Sequence, residues 1–518
     1  MYLTQSLHRA ISRQPHATAC VYGDRTRSFA QLGDRVARFA GALRALGLHP
    51  GDRVGMLSLN SDRYLEYYMA VPWAGCVVNS ANIRWSAAEI AYSLDDCDTR
   101  VLIVDDQFAP MVPELRQRSK ALRTVIHAGE RPVPQGMLSY EALVLESAPV
   151  PDARRSGADL AGVFYTGGTT GFPKGVMLAH AGLYINGLVL PAEGVVNEHT
   201  VGQHAAPMFH IADVALMNGL WAVGAKHVII PAFTPVGVLQ AIERERVSAT
   251  VLVPTMIQMT VDHPELAQHD LSSLQAIGYG GSPISEALAE RASRALPQVA
   301  FFQIYGMTEL SPIATVLPAE LHTTEGRKRG KMRSAGRPSL CAEVRIVDEL
   351  GAELPRGQVG EIVVSGPGVM LGYWNRPEET RIALRDGWMH TGDGGRMDDE
   401  GFVFVVDRLK DMIVTGGENV YSVEVENAVM QHPAVATCAV IGVPDAQWGE
   451  RVHAVVVLKP GAQTTADAIQ EHCKALIANY KCPRGVEFTA ALPLSGAGKV
   501  LKTHLREPHW AGHERRVG

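Results

Sequence analysis

Three threonines and three glycines stand together at Thr166-Gly167-Gly168-Thr169-Thr170-Gly171, and Lys174 follows after Phe172 and Pro173. Such a run exposes backbone N–H groups and hydroxyls with little side-chain bulk, and with a cation close behind it suits a polyphosphate. It is not a Walker A loop, because Pro173 precedes the lysine, Gly175 follows it and no Ser or Thr is placed to take Mg²⁺. On Gly and Thr content alone, a surface turn is the other reading. A second feature is Phe301-Phe302-Gln303-Ile304-Tyr305-Gly306-Met307-Thr308-Glu309. Its apolar start suits a buried strand that ends in a Tyr-Gly-x-Thr-Glu turn. There a tyrosine face could stack on adenine, while a hydroxyl beside a carboxylate suits a phosphate and its Mg²⁺.

Further segments carry residues of chemical interest. Ala206-Pro207-Met208-Phe209-His210 sets an imidazole at the head of the apolar residues Ile211, Val214, Leu216 and Met217. Taken alone, such a histidine is more often a core or surface residue than a catalytic one. Gly278-Tyr279-Gly280-Gly281-Ser282-Pro283 reads as a strand end opening into a loop. Gly278 and Gly280 would share one bare face there and admit a flat ligand or an acyl chain, although a plain turn fits as well. In Trp388-Met389-His390-Thr391-Gly392-Asp393, the carboxylate could accept from both hydroxyls of a ribose. Val406-Asp407-Arg408-Leu409-Lys410-Asp411 by itself is an ordinary charged turn. Thr415-Gly416-Gly417-Glu418 pairs two glycines where a narrow chain could pass along backbone, and Pro493-Leu494-Ser495-Gly496-Ala497-Gly498-Lys499 ends a glycine-rich loop in a lysine.

Taken in this order, the segments make the chain resemble the adenylate-forming superfamily of acyl-CoA synthetases, luciferases and peptide-synthetase adenylation domains. Within it the chain looks like a carboxylate–CoA ligase of fatty-acyl or coumarate-like type, and the likeness spans nearly the whole length. Gly168 stands where many members have Ser, as it does in bacterial long-chain acyl-CoA synthetases, and Leu494-Ser495 departs from the usual Pro-Arg-Thr lead to the lysine. The resemblance implies that Thr166, Gly167, Gly168, Thr169, Thr170, Gly171 and Lys174 hold the ATP phosphates, and that Gly280, Gly281, Ser282, Tyr305, Gly306 and Val405 border the nucleotide. Thr308 would touch the α-phosphate, Glu309 and Thr169 would hold Mg²⁺, Asp393 would take the ribose and Arg408 would assist at ribose and phosphate. Phe209, His210, Ile211, Gly278, Met307 and Pro312 would line the acyl pocket, with His210 near the substrate carboxylate. Lys410 would be the hinge, Gly416, Gly417 and Glu418 would lie along coenzyme A, and Lys499 would be the catalytic lysine.

Two half-reactions follow from that likeness. The carboxylate attacks the ATP α-phosphorus to give an acyl-adenylate and pyrophosphate, and the CoA sulfur then displaces AMP. The surroundings of His210 are largely apolar and offer no clear carboxylate for an amino group, which favours an apolar monocarboxylic acid, fatty or aryl, over an amino acid or a dicarboxylate. An acyl-AMP ligase that loads a carrier protein, and a non-catalytic nucleotide-binding regulator on the same fold, are the rival readings. The chain shows no fused carrier domain and ends in Arg516-Val517-Gly518, not Ser-Lys-Leu, so transfer to CoA is the better fit.

The elements that must position these residues alternate along the chain. Helical spacing over Phe29 to Leu46 is followed by an apolar run at Val54 to Leu57, and the alternation returns through Val101 to Val104 and again from Gly224 to Leu296. Helices interleaved with short apolar strands predict layered α/β subdomains with buried parallel sheet. From Glu343 the texture turns to strands joined by turn-rich loops, a small β unit, and the last hundred or so residues mix short strands with helices. The expected division is an N-terminal adenylation domain of residues 1–409 and a mobile, smaller α+β C-terminal domain of residues 410–518. With 518 residues, 20% charged side chains and a net charge of −6, the composition argues against a nucleic-acid partner. Seven scattered cysteines without a CxxC pair fit reduced thiols in a cytoplasmic protein better than a zinc cage or a disulfide framework. The longest apolar stretch, Val214 to Ile230, is broken by Asn218, Gly219, Gly224 and Lys226, so no membrane span is expected. The partners expected are thus ATP, a carboxylic acid and CoA, with a homodimer left open.

Overall fold

Ser28 opens the first long helix with a capping box: its hydroxyl accepts from the Gln31 N–H, and the Gln31 side chain accepts from the Ser28 N–H. This satisfies two of the backbone donors that a helix start leaves over. The helix runs Phe29–Ala45 and buries Leu32, Val36, Phe39 and Leu43 completely, the stripe its spacing predicts. Gly47, at φ 85°, takes the chain out of it. The computed structural model describes residues 1–166, 173–282, 284–408, 411–415, 418–445, 447–495 and 499–511.

Among the described residues four sheets form. An eight-stranded sheet runs in the order Gly372–Tyr373, Lys174–Ala179, Leu160–Thr166, Val77–Ser80, Arg53–Leu57, Val101–Val104, Thr124–His127 and Leu138–Ser139. Its inner strands pair in parallel, as helices that cross over between strands require. A nine-stranded sheet runs Arg337–Pro338, Ile313–Leu317, Ala300–Gly306, Ala276–Gly280, Ala249–Leu252, Val201–His204, Lys226–Ile229, Thr18–Tyr22 and Arg25–Ser28, parallel from Ala300–Gly306 across to Thr18–Tyr22. The β unit expected from Glu343 onward is a five-stranded antiparallel sheet of Glu343–Val347, Gly360–Ser365, Trp388–Met397, Leu384–Arg385 and Val403–Arg408.

One apolar cluster joins these three sheets, from Leu7, Phe29 and Tyr64 through Trp221 to Leu310, Met389 and Val403. The chain then changes sheet. Val403–Arg408 still pairs with Trp388–Met397, whereas Ile413–Thr415 pairs with Glu418–Val420 and Gly449–Leu458 in a fourth, five-stranded sheet. That last unit packs its own core of Ile413, Val425, Val429, Val440, Val452 and Ile469. No helix among the described residues is long and apolar enough to cross a membrane. The apolar stretch from Val214 onward is the helix Ile211–Val223, buried nearly all round, followed by the strand Lys226–Ile229.

Candidate active site

Two neighbouring parallel strands, Ala276–Gly280 and Ala300–Gly306, end side by side, and open α/β sheets take ligands at such carboxyl ends. The glycines here answer to close packing. A Cβ at Gly306 would come within 1.7 Å of the Pro312 carbonyl oxygen, so only glycine lets the Thr308–Leu310 turn fold Pro312 back against the strand. A Cβ at Gly280 would meet the Ile304 carbonyl oxygen at 2.3 Å. The expectation of an open, bare face at Gly278 and Gly280 therefore needs revision. The space beside Gly278 is taken by Val251 and Ile304, at 3.1 and 3.3 Å from where its Cβ would stand, so these glycines admit neighbouring strands.

Beyond the strand ends, pairs of polar side chains far apart in the chain come together. The Tyr305 hydroxyl donates to Asp393 Oδ2 at 2.8 Å, joining the residue expected at adenine to the one expected at the ribose. The Tyr373 hydroxyl donates to Glu309 Oε1 at 2.9 Å, and the Met370 N–H donates to the Glu309 carbonyl at 2.8 Å. Burial and the adjacent Glu309 carboxylate push the Tyr373 phenol well above its ordinary range, so it stays a donor. The Lys174 ammonium lies over the Tyr373 ring, 5.2 Å from its centre. Lys174 in turn pairs with Thr166 in antiparallel register, at the end of the pairing between Leu160–Thr166 and Lys174–Ala179. Glu309 is 6% exposed, and a buried carboxylate oxygen beside a phosphate-seeking cation is a hard donor of the kind Mg²⁺ takes.

His210 caps the helix Ile211–Val223: its Nδ1 accepts from the Ala212 N–H at 3.2 Å, which fixes the neutral tautomer with the proton on Nε2. Burial, then the nearby cations Lys499 and Arg84, lower its pKa to about 4. The loop that presents it is clamped from the N-terminal sheet. Asn60 donates to the Ala206 carbonyl at 2.9 Å and accepts from the Met208 N–H at 2.8 Å. Tyr68 donates to the Met208 carbonyl at 2.8 Å, and Ser80 donates to the Phe209 carbonyl at 3.0 Å. Phe209 and Ile211 are buried in the apolar cluster to which Tyr305, Met307 and Val405 also belong.

Lys499 reaches this site from the C-terminal unit. It sits in a tight reversal in which Leu494 and Val500 bridge and Ser495 and Lys499 exchange contacts, the Ser495 hydroxyl accepting from the Lys499 N–H at 3.1 Å. Its Cε lies 3.8 Å from the point where a Gly281 Cβ would stand. Arg84 donates to the Ser495 carbonyl at 3.0 Å and so fastens that loop to the N-terminal unit. The structure thus brings Lys499 to His210 and Gly281, Tyr305 to Asp393, and Lys174 and Glu309 to Tyr373. Glu418 stands apart, exposed on the short strand Glu418–Val420. Gly167, Gly168, Thr169, Thr170, Gly171, Lys410, Gly416 and Gly417 lie outside the described residues, as does the side chain of Arg408; its backbone pairs with Asp393. Sequence reasoning missed Tyr373, Arg84, Asn60, Tyr68 and Ser80. Only Tyr373, in the aromatic run Gly372-Tyr373-Trp374, carried a visible signal.

The AMP-binding enzyme family matches residues 7–374, and the C-terminal domain of the same enzymes matches residues 424–499. The chain belongs to the AMP-binding enzyme family. A feruloyl-CoA synthase of Amycolatopsis sp is 42% identical over 500 residues, which is 96% of this chain and 97% of that protein. The fatty acid–acyl-carrier-protein ligase ScoC of Streptomyces coeruleorubidus is 36% identical over 518 residues, 99% of this chain and 97% of that one. Among solved structures, an anthranilate CoA ligase, AuaEII, in complex with anthranoyl-AMP superposes with a TM-score of 0.90 at 28% identity, over 99% of this chain and 98% of that one. This member of the family is an AMP-forming carboxylic acid–CoA ligase: it uses ATP, Mg²⁺ and CoA, and it proceeds through an acyl-adenylate.

Proposed function

We propose that this ligase activates an apolar monocarboxylic acid, aryl or fatty, with aryl acids of the ferulate type as the leading class. The observation that carries this reading is His210, a neutral imidazole between the apolar-cluster residues Phe209 and Ile211 with Lys499 as its largest charged influence. A neutral Nε2–H and one ammonium suit a single carboxylate, while Phe209, Ile211 and Met307 suit an apolar body behind it. Asp213, in the first turn of the same helix, is not turned to the cleft for an amino group. Its Oδ2 lies 2.7 Å from Nδ1 of the buried His204. The similarity to a feruloyl-CoA synthase adds weight to an aryl acid.

In the first half-reaction, a carboxylate oxygen attacks the α-phosphorus while the bond to pyrophosphate breaks. Both reactants are anionic, so the site must neutralise charge and hold the attack in line. Lys499 bridges the developing acyl-phosphate oxygens, His210 donates through Nε2, and Thr308 and Lys174 hold phosphate oxygens. Glu309 and Thr169 would hold Mg²⁺, which would supply neutralisation of the phosphate charge when bound. Tyr305 stacks on adenine, and Asp393 takes the ribose hydroxyls with Arg408 beside it. In the second half-reaction the CoA sulfur attacks the acyl carbonyl and AMP departs. Gly416, Gly417 and Glu418 then form the CoA passage, and the unit that begins at 410 turns about Lys410 to bring them in. Seven unpaired thiols support a cytoplasmic setting.

The test is AMP formation from ATP over a panel of ferulate, other aryl acids and fatty acids, with and without CoA. Sustained turnover that requires CoA and is highest with aryl acids is the expected result. Preference for dicarboxylates or amino acids would refute the reading of the pocket.

A further inference from the structure

Away from this cleft, the C-terminal unit brings two imidazoles and a carboxylate together from three elements. His453 lies on the strand Gly449–Leu458 and stands opposite Gly485 in parallel register with the strand Gly485–Phe488. Glu487, two residues further along that second strand, projects from the same face as Gly485. His509 comes from the last turn of the helix Lys502–Trp510, and its ring centre is 5.0 Å from that of His453. The three ligand atoms lie within 4.8 Å of one another.

His453 is the decisive residue. It is 8% exposed, yet neither ring nitrogen has a hydrogen-bond partner among the described residues. An imidazole always offers at least one donor or lone pair, and buried polar atoms are rarely left unmatched. Its Nδ1 sits 2.4 Å from where a Gly485 Cβ would stand, so glycine there makes room for the ring, and Nε2 turns toward Glu487 Oε2 at 3.6 Å, beyond hydrogen-bonding reach. A buried imidazole in this state needs a partner from outside the chain, and a second imidazole and a carboxylate beside it suit a cation.

We propose that His453, Glu487 and His509 form a binding site for a divalent transition metal, Zn²⁺ by ligand chemistry, that pins the C-terminal helix to the sheet of its unit. Two imidazoles and a carboxylate are a zinc set with one position left for water, whereas Mg²⁺ and Ca²⁺ call for oxygen donors. Metal–ligand bonds of about 2.0–2.1 Å set ligand atoms roughly 3.4 Å apart, so the set must draw in slightly. Glu487, with its side chain 55% exposed, has the room to do so. The helix concerned starts three residues after Lys499. It is already tied down by Lys502 to Glu426 at 2.7 Å, by an ion pair from Arg506 to Asp411 and by Trp510 to the Gly442 carbonyl at 2.9 Å. The metal adds an anchor at its far end.

The test uses the full chain, stripped with a chelator and titrated with Co²⁺, whose visible absorption is intense only in four- or five-coordinate sites. One equivalent should bind and be displaced by Zn²⁺. His509→Ala and the surface change Glu487→Gln should each weaken binding by at least about tenfold. His432→Ala, in the separate His432–His472 pair of the same unit, should leave binding unchanged. The absence of stoichiometric Co²⁺ binding, equal binding by His509→Ala, Glu487→Gln and the parent, or loss caused instead by His432→Ala would each overturn the proposal.

Discussion

Replacing Lys499 with alanine should separate the two half-reactions. The ammonium reaches the cleft at Gly281 and depresses His210, so in this arrangement it faces the reacting centre. A single preorganised donor or cation at developing charge is worth about 3–4 kcal/mol, and adenylate formation should fall roughly 100- to 1000-fold. Thioester formation from supplied acyl-adenylate should hold to within about threefold, because pyrophosphate has already left and the proposed turn of the C-terminal unit takes Lys499 away before the CoA sulfur attacks and AMP departs. His210 provides an independent reading. Its depression from 6.5 to about 4 has burial as the largest cause and Lys499 as the second. Lys499 is a lesser cause than burial, so in Lys499→Ala the imidazole midpoint should rise yet stay below the ordinary histidine range. Pyrophosphate release and thioester appearance, followed separately by rapid quench, give the kinetic half. Histidine ring resonances followed against pH give the electrostatic half. Equal loss of both half-reactions, or a His210 midpoint that does not move, would refute the placement of Lys499 at the adenylation centre.

Tyr373→Phe removes the hydroxyl that donates to Glu309. A hydrogen bond to a charged group contributes about 1.5–3 kcal/mol, so the Mg²⁺ concentration for half-maximal adenylation should rise about tenfold or more, read by Mg²⁺ titration of pyrophosphate release. Gly306→Ala would drive a Cβ into the Pro312 carbonyl and should cost about 1–3 kcal/mol in urea unfolding, together with activity, because the Thr308-Glu309 turn must shift. Acid should destabilise the fold from below neutrality. Burial lowers His180 and His322 from 6.5 to about 4 each, so the unfolded chain binds more protons between those values and stability is lost as pH falls through that window. Each contributes up to about 3 kcal/mol, and unfolding free energies at pH 7, 6 and 5 that do not decline would refute the point.

The local part of the molecule could be read from the sequence, and the long-range part could not. The stripe from Leu32 to Leu43 and the apolar runs at Val54 and Val101 carry their own periodicity, so their elements appear within a residue or so of expectation. The Tyr-Gly-x-Thr-Glu turn and the Gly/Thr run announced chemistry by composition. What holds them does not lie nearby. Tyr373 meets Glu309 across 64 positions, Tyr305 meets Asp393 across 88 and Arg84 meets Ser495 across 411. Such pairs follow from sheet order, which no spacing encodes. Gly280 shows the same limit from the other side. Its type is visible in the chain, but its reason, the Ile304 carbonyl on the adjoining strand, is visible only once the strands are paired.

The contacts between the two parts of the chain are graded in a way that suits a turning C-terminal unit. Near the sheet change at 408–413 they are buried and charged. Asp407, 3% exposed, accepts from the Ser422 N–H across the sheet change, and within the C-terminal unit Lys502 backs that contact by bonding the Ser422 hydroxyl and pairing with Glu426 at 2.7 Å. Breaking one member of such a set leaves a buried charge uncompensated, which costs about 3–5 kcal/mol. Far from the sheet change, where the Lys499 loop docks, the fastening from Arg84 to the Ser495 carbonyl is an exposed hydrogen bond, of the class that contributes about 0.5–1.5 kcal/mol net. A rotation pivoted beside Asp407 moves the groups next to the pivot least and those at the Lys499 loop most. The expensive contact thus sits where displacement is small, and the inexpensive one sits where the proposed rotation would move the loop most. That grading is what the proposed rotation of the C-terminal unit needs, whereas a melting of the whole unit would not need it.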